Sequence, residues 1–359
     1  MNKKIFIILI FLLSIICGLL IYLVFNRNNK NFTENITVVP TIKYKITNDS
    51  SWCGTFQLIF NDMKNEVVKQ DIIFTPQEDM VINLNKEEFR EDMISDSYYY
   101  KIYGIKKKEL KKQIEDAIFE KFNQKSDILD DFDFSESDND KDNFNNYFFY
   151  TMLYREFNFL NKFDKLEDGD FGEYKNIKYF GINDNTDNIV GDQIDVLFYN
   201  SKDDFAILIN TKENDEIIFY KNPKGNTFNE IYDNLNKKSQ DFDGDSKFND
   251  NDEFKAPIID FNVKKEYEEL ENKPFKTLGY DFDNAVILKA IQTISFSIDE
   301  KGGKIKSEAG LDIKFTSLEN GEKRYFYLDD TFAIFLREKN KEIPYFASKI
   351  NDITKYQVK

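Results

Sequence analysis

Near its start the chain carries a long uncharged segment that decides how the rest of the sequence is interpreted. Ile5 to Phe25 is an apolar run of 21 residues without a charge, which is long enough to cross a bilayer as one helix. A cleaved signal peptide has a shorter apolar core and a small-residue cleavage site, which the letters IYLVFNRN do not offer. A lipoprotein site at Cys17 is disfavoured because Ile16, which is not small, precedes it. We therefore predict an uncleaved anchor over residues 5–25.

The anchor divides the chain into unequal parts. Residues 1–4 form a short tip whose Lys3 and Lys4 favour the cytoplasmic side of the membrane. Residues 26–49 are predicted to be a polar linker, residues 50–351 a folded domain, and residues 352–359 a C-terminal tail. We expect a single-pass protein of the cell membrane, bound to it through residues 5–25, with its domain outside the cytoplasm.

Composition narrows the function of that domain. The formal charge of −16 argues against nucleic acid and against an anionic membrane surface as partners. The chain has no histidine, which excludes a Ser–His or Cys–His hydrolytic centre and metal sites with imidazole ligands. Cys17 lies in the apolar run, so Cys53 has no partner for a disulfide. We expect no enzyme; a hydrolase with paired carboxylates stays an alternative, although no spacing singles out a pair.

Apolar patterns predict an α+β fold with large, mainly antiparallel sheets and helices packed around them. Helical spacing indicates helices over residues 52–68 and 110–122, and a short one near 284–289. Thr227, with Glu230 three residues later, predicts the N-cap of a further helix over residues 227–238. Strand patterns occupy residues 71–76, 147–159, 192–211, 254–267, 290–300, 324–339 and 343–350.

One further segment, residues 303–315, alternates between two kinds of side chain, as a half-buried strand does. The odd positions are Gly303, Ile305, Ser307, Ala309, Leu311, Ile313 and Phe315, and the even positions are Lys304, Lys306, Glu308, Gly310, Asp312 and Lys314. No charge falls in the odd row. Such a segment tolerates water when exposed and presents one apolar face when paired. The same alternation suits a permanent sheet strand, so the pattern alone leaves both interpretations open.

Two blocks near the C-terminus resemble the serpin family. In the first, Lys289-Ala290-Ile291 stands seven residues before Ile298-Asp299-Glu300-Lys301-Gly302, which is similar to the segment that precedes the serpin reactive loop. The second is similar to the family's C-terminal signature and comprises Phe326, Asp329, Phe332, Phe335, Leu336-Arg337, Tyr345-Phe346 and Lys349-Ile350. Weaker similarity in residues 52–76, 148–171 and 254–270 extends the resemblance to roughly residues 50–351.

The resemblance has departures. Phe159 replaces the tryptophan of the family's breach segment, and Lys162 replaces a proline three residues later. In the C-terminal block Thr331 stands for a proline and Ser348 for a glycine. The part between residues 76 and 147 is shorter than the usual set of helices. The chain therefore resembles a divergent, shortened serpin.

What the resemblance implies is a serpin-like fold with an exposed or inserted reactive loop, and inhibition of a serine or cysteine protease without a required cofactor. In that family a protease cleaves the loop, whose freed N-terminal part inserts as a new strand. The implied hinge is Glu300, Lys301, Gly302 and Gly303; the inserting face is Ile305, Ser307, Ala309, Leu311 and Ile313; and the scissile region is Lys314, Phe315, Thr316 and Ser317. Lys304 and Ile305 stand where inhibitory members have small residues, so a non-inhibitory binding or structural protein of the cell envelope is the alternative.

An acidic loop follows the helix at 227–238. Its oxygen-bearing residues stand at positions 1, 3, 5, 7, 9 and 12, the spacing of a calcium loop, with Lys247 offering its carbonyl. These predicted ligands are Asp241, Asp243, Asp245, Lys247, Asn249 and Asp252. Gly244 stands at position 4 rather than 6, and in so acidic a chain an ordinary solvated loop explains the same letters. Calcium is therefore one of two interpretations.

Overall fold

The computed structural model describes residues 32–135, 146–275, 285–303 and 323–357. The predicted tip and anchor, residues 1–4 and 5–25, lie outside this part of the chain, and so do residues 304–322. Among the described helices, none is long and apolar enough to cross a membrane.

A seven-stranded sheet forms the centre of the domain. Its strands follow the order β1-β2-β21-β20-β12-β11-β10, and every pairing except β1 with β2 is antiparallel. The bounds are β1 Thr37–Val38, β2 Ser50–Cys53, β10 Ile194–Ser201, β11 Asp204–Asn210, β12 Asp215–Lys221, β20 Phe332–Glu338 and β21 Phe346–Ile350. All seven residues of β12 are buried, because this strand lies in the interior of the sheet.

A four-stranded sheet packs against the same core, in the order β19-β13-β9-β6. These strands are β6 Asp164–Lys165, β9 Tyr179–Ile182, β13 Glu253–Pro257 and β19 Tyr325–Tyr327. Further strands form two-stranded ribbons: β3 Tyr99–Ile105 with β4 Tyr147–Leu153, β14 Ile259–Glu266 with β17 Ile291–Ile298, β5 Phe157–Asn158 with β18 Gly302–Gly303, β7 Gly169–Phe171 with β8 Tyr174–Ile177, and β15 Pro274–Phe275 with β16 Ala285–Val286.

Helices cover these sheets. The α-helices of the described residues are α1 Thr55–Asp62, α2 Asp79–Leu84, α3 Lys108–Phe122 and α4 Phe228–Asp241, and α1 continues as a π-helical turn to Val68. Helix α3 packs Ile114 and Ile118 into a core shared with the β3–β4 ribbon, as their four-residue spacing requires. At the start of α4, the Thr227 hydroxyl accepts a hydrogen bond of 3.0 Å from the Glu230 amide. The predicted α+β class, with mainly antiparallel sheets, is confirmed.

Two predicted elements are wrong. Residues 71–76 form no strand, because side-chain amides take the place of a neighbouring strand. Asn85 Oδ1 accepts from the Ile72 amide at 3.0 Å and Gln77 Oε1 from the Phe74 amide at 2.8 Å. The short helix near 284–289 is also wrong, since Ala285 and Val286 pair with β15.

Some residues of the predicted linker and tail pack into the main core. Val38, Val39 and Ile42, within the linker 26–49, are buried in the main core. Ile353 and Tyr356, within the tail 352–359, are buried there too. The buried linker residues belong to a short apolar run over residues 36–42, and those of the tail stand singly among polar neighbours. Neither stretch has a helix or strand period that would predict its burial.

Candidate functional site: a cleft between two strand edges

The strands β4 and β17 each pair along one edge only. Strand β4 pairs with β3, and β17 pairs with β14. No strand within the described residues pairs with the other edge of either one. Since an unpaired strand edge presents a row of free amide and carbonyl groups, each of these edges can accept a further strand.

A cavity of about 1020 Å³ lies between these two ribbons. Strand β4 lines it on one side and residues 285–299, which include β17, on the other. Phe56, Phe60 and Met63, from α1 and its continuation, add apolar surface. Thr151 of β4 also lines the cleft, and its hydroxyl is buried without a hydrogen-bond partner.

At one end of this cleft the chain turns into it. Strand β17 ends at Ile298, and the backbone groups of Asp299 and Gly302 then bond each other across a tight turn. Beyond the turn, Gly302 pairs antiparallel with Asn158, and Gly303 with Phe157. Residues 302–303 thus form the first rung of a strand that is antiparallel to β5 and folded back beside β17.

The orientation of Gly303 decides which face a continuing strand would bury. A Cβ atom at Gly303 would stand 2.9 Å from the ring of Phe157, and that ring is buried in the main core. Gly303 therefore faces the core. Residues two apart in a strand share a face, so a continuation of this strand would turn the odd row, beginning with Ile305, toward the core.

Gly302 occupies a backbone conformation that side chains rarely adopt. Its φ is +124°, and a Cβ atom there would stand 2.4 Å from the Phe157 carbonyl oxygen. The sequence predicted Gly302 as part of a hinge, and the structure gives a physical reason for glycine at this position.

The rest of the predicted hinge is held from one side. The Glu300 carbonyl accepts from the Phe163 amide at 2.9 Å, and the Lys301 carbonyl accepts from the Phe159 amide at 3.0 Å. The buried Glu300 carboxylate lies 3.8 Å from the ammonium of Lys162 and 3.6 Å from that of Lys165. Two residues at positions that depart from the family pattern, Phe159 and Lys162, therefore contact the hinge directly.

A polar network joins β17 to the start of α1. Gln292 is only 4% exposed; its Nε2 donates to the Cys53 carbonyl at 3.1 Å and to the Thr55 hydroxyl at 3.0 Å. The Tyr267 hydroxyl donates to Gln292 Oε1 at 2.8 Å. The unpaired thiol of Cys53 is buried, and this burial raises its pKa. The sequence did not single out Gln292, because one glutamine in an apolar strand carries no motif.

Three of the six predicted calcium ligands, Asp245, Lys247 and Asp252, contact a cation that belongs to the chain itself. The Arg324 guanidinium donates to the carbonyls of Asp245 and Lys247 and to the buried carboxylate of Asp252. Asn249 bonds Asp245 and Asp252. Asp241 and Asp243 are exposed, and among the described residues no three acidic side chains converge as a metal cluster. Hydrogen bonds from Lys247 and Asn249 lower the pKa of Asp245.

The contacts of Arg324 also hold the chain in place at residues 323–327, where the described structure resumes. Besides the Arg324 contacts, the ammonium of Lys323 lies 2.8 Å from Asp184 and 2.6 Å from Glu253. Tyr325 to Tyr327 then pair with β13. The remaining predicted site residues, which are the inserting face from Ile305 to Ile313 and the scissile region from Lys314 to Ser317, lie outside the described residues.

Solved structures that are similar to this chain include three of low sequence identity. A complex of thyroxine-binding globulin with thyroxine is similar over 67% of this chain and 63% of that one, at 12% identity and a TM-score of 0.40. The human thyroxine-binding globulin complex gives the same identity and coverage at 0.41. Serpin48 from the insect Tenebrio molitor covers 76% of this chain and 71% of its own, at 11% identity and 0.41. The chain spans less than two thirds of the two thyroxine-binding globulin structures. No protein-family model and no curated protein matches the sequence.

Proposed function

We propose that this protein is a membrane-anchored, serpin-like protease inhibitor. After cleavage by the target protease, its reactive segment, residues 303–315, enters the cleft between β4 and β17. The observation that carries the proposal is the pair Gly302–Gly303, which already forms the first rung between the two ribbons. The sequence resemblance supplies the same hinge position. The chain needs no catalytic residue of its own, because the nucleophile belongs to the target protease.

The register of the first rung supports the proposal, because it fixes where each inserted residue would lie. Continuing the pairing of Gly303 with Phe157 places Ala309 beside Thr151 and Leu311 beside Phe149. Continuing the pairing of Asp299 with Gly302 places the same Ala309 beside Gln292. In the inserted strand a small side chain, Ala309, would thus meet the two polar residues, and a large one, Leu311, would meet apolar surface.

The energetics also favour insertion. Burying Ile305, Leu311, Ile313 and Phe315 yields on the order of 6–10 kcal/mol before conformational entropy is subtracted. An exposed segment has none of this stabilisation until it pairs. Cleavage is therefore expected to raise the melting temperature by roughly 10 °C or more.

The test is incubation of the protein with a panel of serine and cysteine proteases. We expect a covalent complex that survives SDS, and a gain in melting temperature of the cleaved inhibitor. Leu311→Lys places a charge in the inward row and is expected to abolish both effects, whereas the matched Asp312→Lys, in the outward row, is expected to retain them. Simple cleavage without a complex or a thermal gain would instead support the alternative, a non-inhibitory envelope protein.

Localisation and calcium are further parts of the proposal. Residues 5–25 anchor the domain outside the cytoplasm, which a protease-protection assay on sealed vesicles tests directly. Calcium binding by residues 241–252 stays a prediction, and Arg324 already provides a positive charge beside Asp245 and Asp252. A calcium-dependent rise in melting temperature that Asp243→Ala abolishes would support it; no shift with calcium would contradict it.

A further inference from the structure

Both ends of the described chain bind the outer edge of β14, which is the edge that does not pair with β17. The Thr33 amide donates to the Asn262 carbonyl at 2.6 Å, and the Asn262 amide donates to the Thr33 hydroxyl at 3.3 Å. Two residues away, the Asp260 amide donates to the Tyr356 carbonyl at 2.7 Å. The ring of Phe32 lies under the Lys264 ammonium, 5.7 Å from its centroid. The chain is thus fixed to the domain from residue 32 onward.

Only six residues, 26–31, separate the uncharged run from this fixed point. A fully extended chain spans at most about 3.6 Å per residue, so seven steps from Phe25 to Phe32 reach about 25 Å. A short reach and a docked end together restrict both the distance and the direction of the domain.

We infer that the domain is held with the outer edge of β14 facing the bilayer, within about 25 Å of the lipid surface. This rests on the proposed anchor over residues 5–25. The formal charge of −16 does not attract an anionic membrane, so docking of Thr33, rather than adhesion of the domain, sets the orientation.

The seven-stranded sheet provides a control position for labelling that lies far from the outer edge of β14. Strand β1 packs against β14 and lies at one end of the sheet, while β10 lies at the other. Six steps of about 4.8 Å separate β1 from β10 by roughly 29 Å. The exposed turn at Lys202, between β10 and β11, is therefore distant from β14, whereas the exposed Asp260 lies on β14 itself.

The experiment uses energy transfer from a dye on the full-length protein to acceptor-labelled lipid in phosphatidylcholine vesicles. The dye is attached at Asp260→Cys or Lys202→Cys in a Cys17→Ser background, since Cys53 is buried. We expect at least two-fold more efficient transfer from position 260 than from position 202. Equal transfer from both positions in vesicle-bound protein would overturn the inference.

Thr33→Pro removes the amide that donates to Asn262 and leaves the anchor intact. We expect the transfer from position 260 to fall toward that from position 202 while the protein still floats with the vesicles; an unchanged difference would overturn the role of docking. Insertion of twelve Gly and Ser residues after residue 31 is expected to lower transfer from position 260, independently of whether the proline displaces Thr33. Loss of flotation in the parent protein would overturn the anchor, and the protease assay would remain a separate test of inhibition.

Discussion

The seven-stranded sheet and the ribbons around the cleft are built from similar residues but differ in strand pairing. In the large sheet β12 pairs with β11 on one edge and β20 on the other. The strands β4 and β17 lie in ribbons that pair on one edge each. The first region has no place for another strand beside β12, whereas the second has two edges that face one cavity. The difference separates a stable framework from a region whose pairing can still change.

The two regions are joined by a buried ion pair. Arg155, two residues beyond β4, contacts the carboxylate of Asp215 at the start of β12. The Tyr345 hydroxyl donates to the same carboxylate at 2.7 Å, and the guanidinium lies 3.5 Å from the centroid of the Tyr98 ring. The segment that follows β4 is therefore tied to the central sheet through Asp215.

The largest expected effect comes from truncating one aromatic residue in each region. Phe219 of β12 is fully buried, so Phe219→Ala is expected to lower the free energy of unfolding by about 3–5 kcal/mol. Phe149 lines the cleft and is only partly buried, so Phe149→Ala is expected to cost about 1 kcal/mol. Equilibrium urea unfolding measures both.

Cleavage sharpens this first prediction. If the reactive segment inserts, Leu311 covers Phe149, and the cost of Phe149→Ala is expected to grow in the cleaved protein while that of Phe219→Ala stays constant. If Phe219→Ala and Phe149→Ala lower the free energy of unfolding equally before cleavage, the proposed difference in packing between the two regions is wrong.

The second prediction concerns removal of the Arg155–Asp215 ion pair that connects the two regions. Asp215 has a fully buried side chain and Arg155 is 19% exposed, so Arg155→Ala is expected to cost about 3 kcal/mol, because a buried carboxylate loses its partner. The matched control is Arg90→Ala, since Arg90 and Asp92 are 48% and 69% exposed and such pairs contribute under about 1 kcal/mol.

The pH dependence of the Arg155→Ala variant identifies the cause. Burial raises the pKa of Asp215, and Arg155 opposes that rise. Without Arg155 the pKa of Asp215 rises further in the folded state, so the protonated form is favoured there. A protonated Asp215 therefore stabilises the folded variant at pH values below the pKa of about 3.9 that the group has in the unfolded state. This stabilisation is lost as the pH rises through the higher pKa of the folded state. Urea unfolding is expected to show a smaller loss at about pH 4 than at about pH 7; an equal loss would contradict a charge-based cause.

Sequence patterns predicted most elements that carry strong periodicity. Confirmed predictions include the helix at residues 110–122, the N-cap at Thr227 and two strands within residues 192–211, which are observed at 194–201 and 204–210. Strand β12 was missed, although it is central, because its apolar run Ile217–Tyr220 is short and lies between two acidic residues and a lysine. Asp215 and Glu216 are buried there through contacts with Arg155 and Arg337, which lie far away in the sequence.

The sequence predicted the segment that belongs to the candidate site, but it did not predict the cleft in the fold. The alternating row after Gly303 and the glycine pair are visible in the sequence. The cleft is not, because it depends on which edges of β4 and β17 stay unpaired across more than one hundred residues of chain. Arg324 was missed for a similar reason, since its contacts with Asp245 and Asp252 join residues more than seventy positions apart.

The smallest of the expected effects concerns Gly302, which pairs with Asn158 at one end of the cleft. Gly302→Ala places a Cβ atom 2.4 Å from the Phe157 carbonyl at a φ of +124°, so it is expected to cost about 1–3 kcal/mol in backbone strain. The matched control is Gly104→Ala, where the nearest atom stands at an ordinary 3.7 Å and the change is expected to stay within about 0.5 kcal/mol.

The cost at Gly302 is expected to appear in inhibition more than in unfolding. The strain is expected to displace the pairing of Gly302 with Asn158, where the proposed insertion would begin. Less SDS-stable complex is then expected per cleaved molecule, whereas Gly104→Ala is expected to leave that ratio unchanged. Measuring both the unfolding free energy and the ratio of complex to cleaved product separates the two effects. A Gly302→Ala protein with reduced stability and an unchanged ratio would mean that the first rung does not guide insertion.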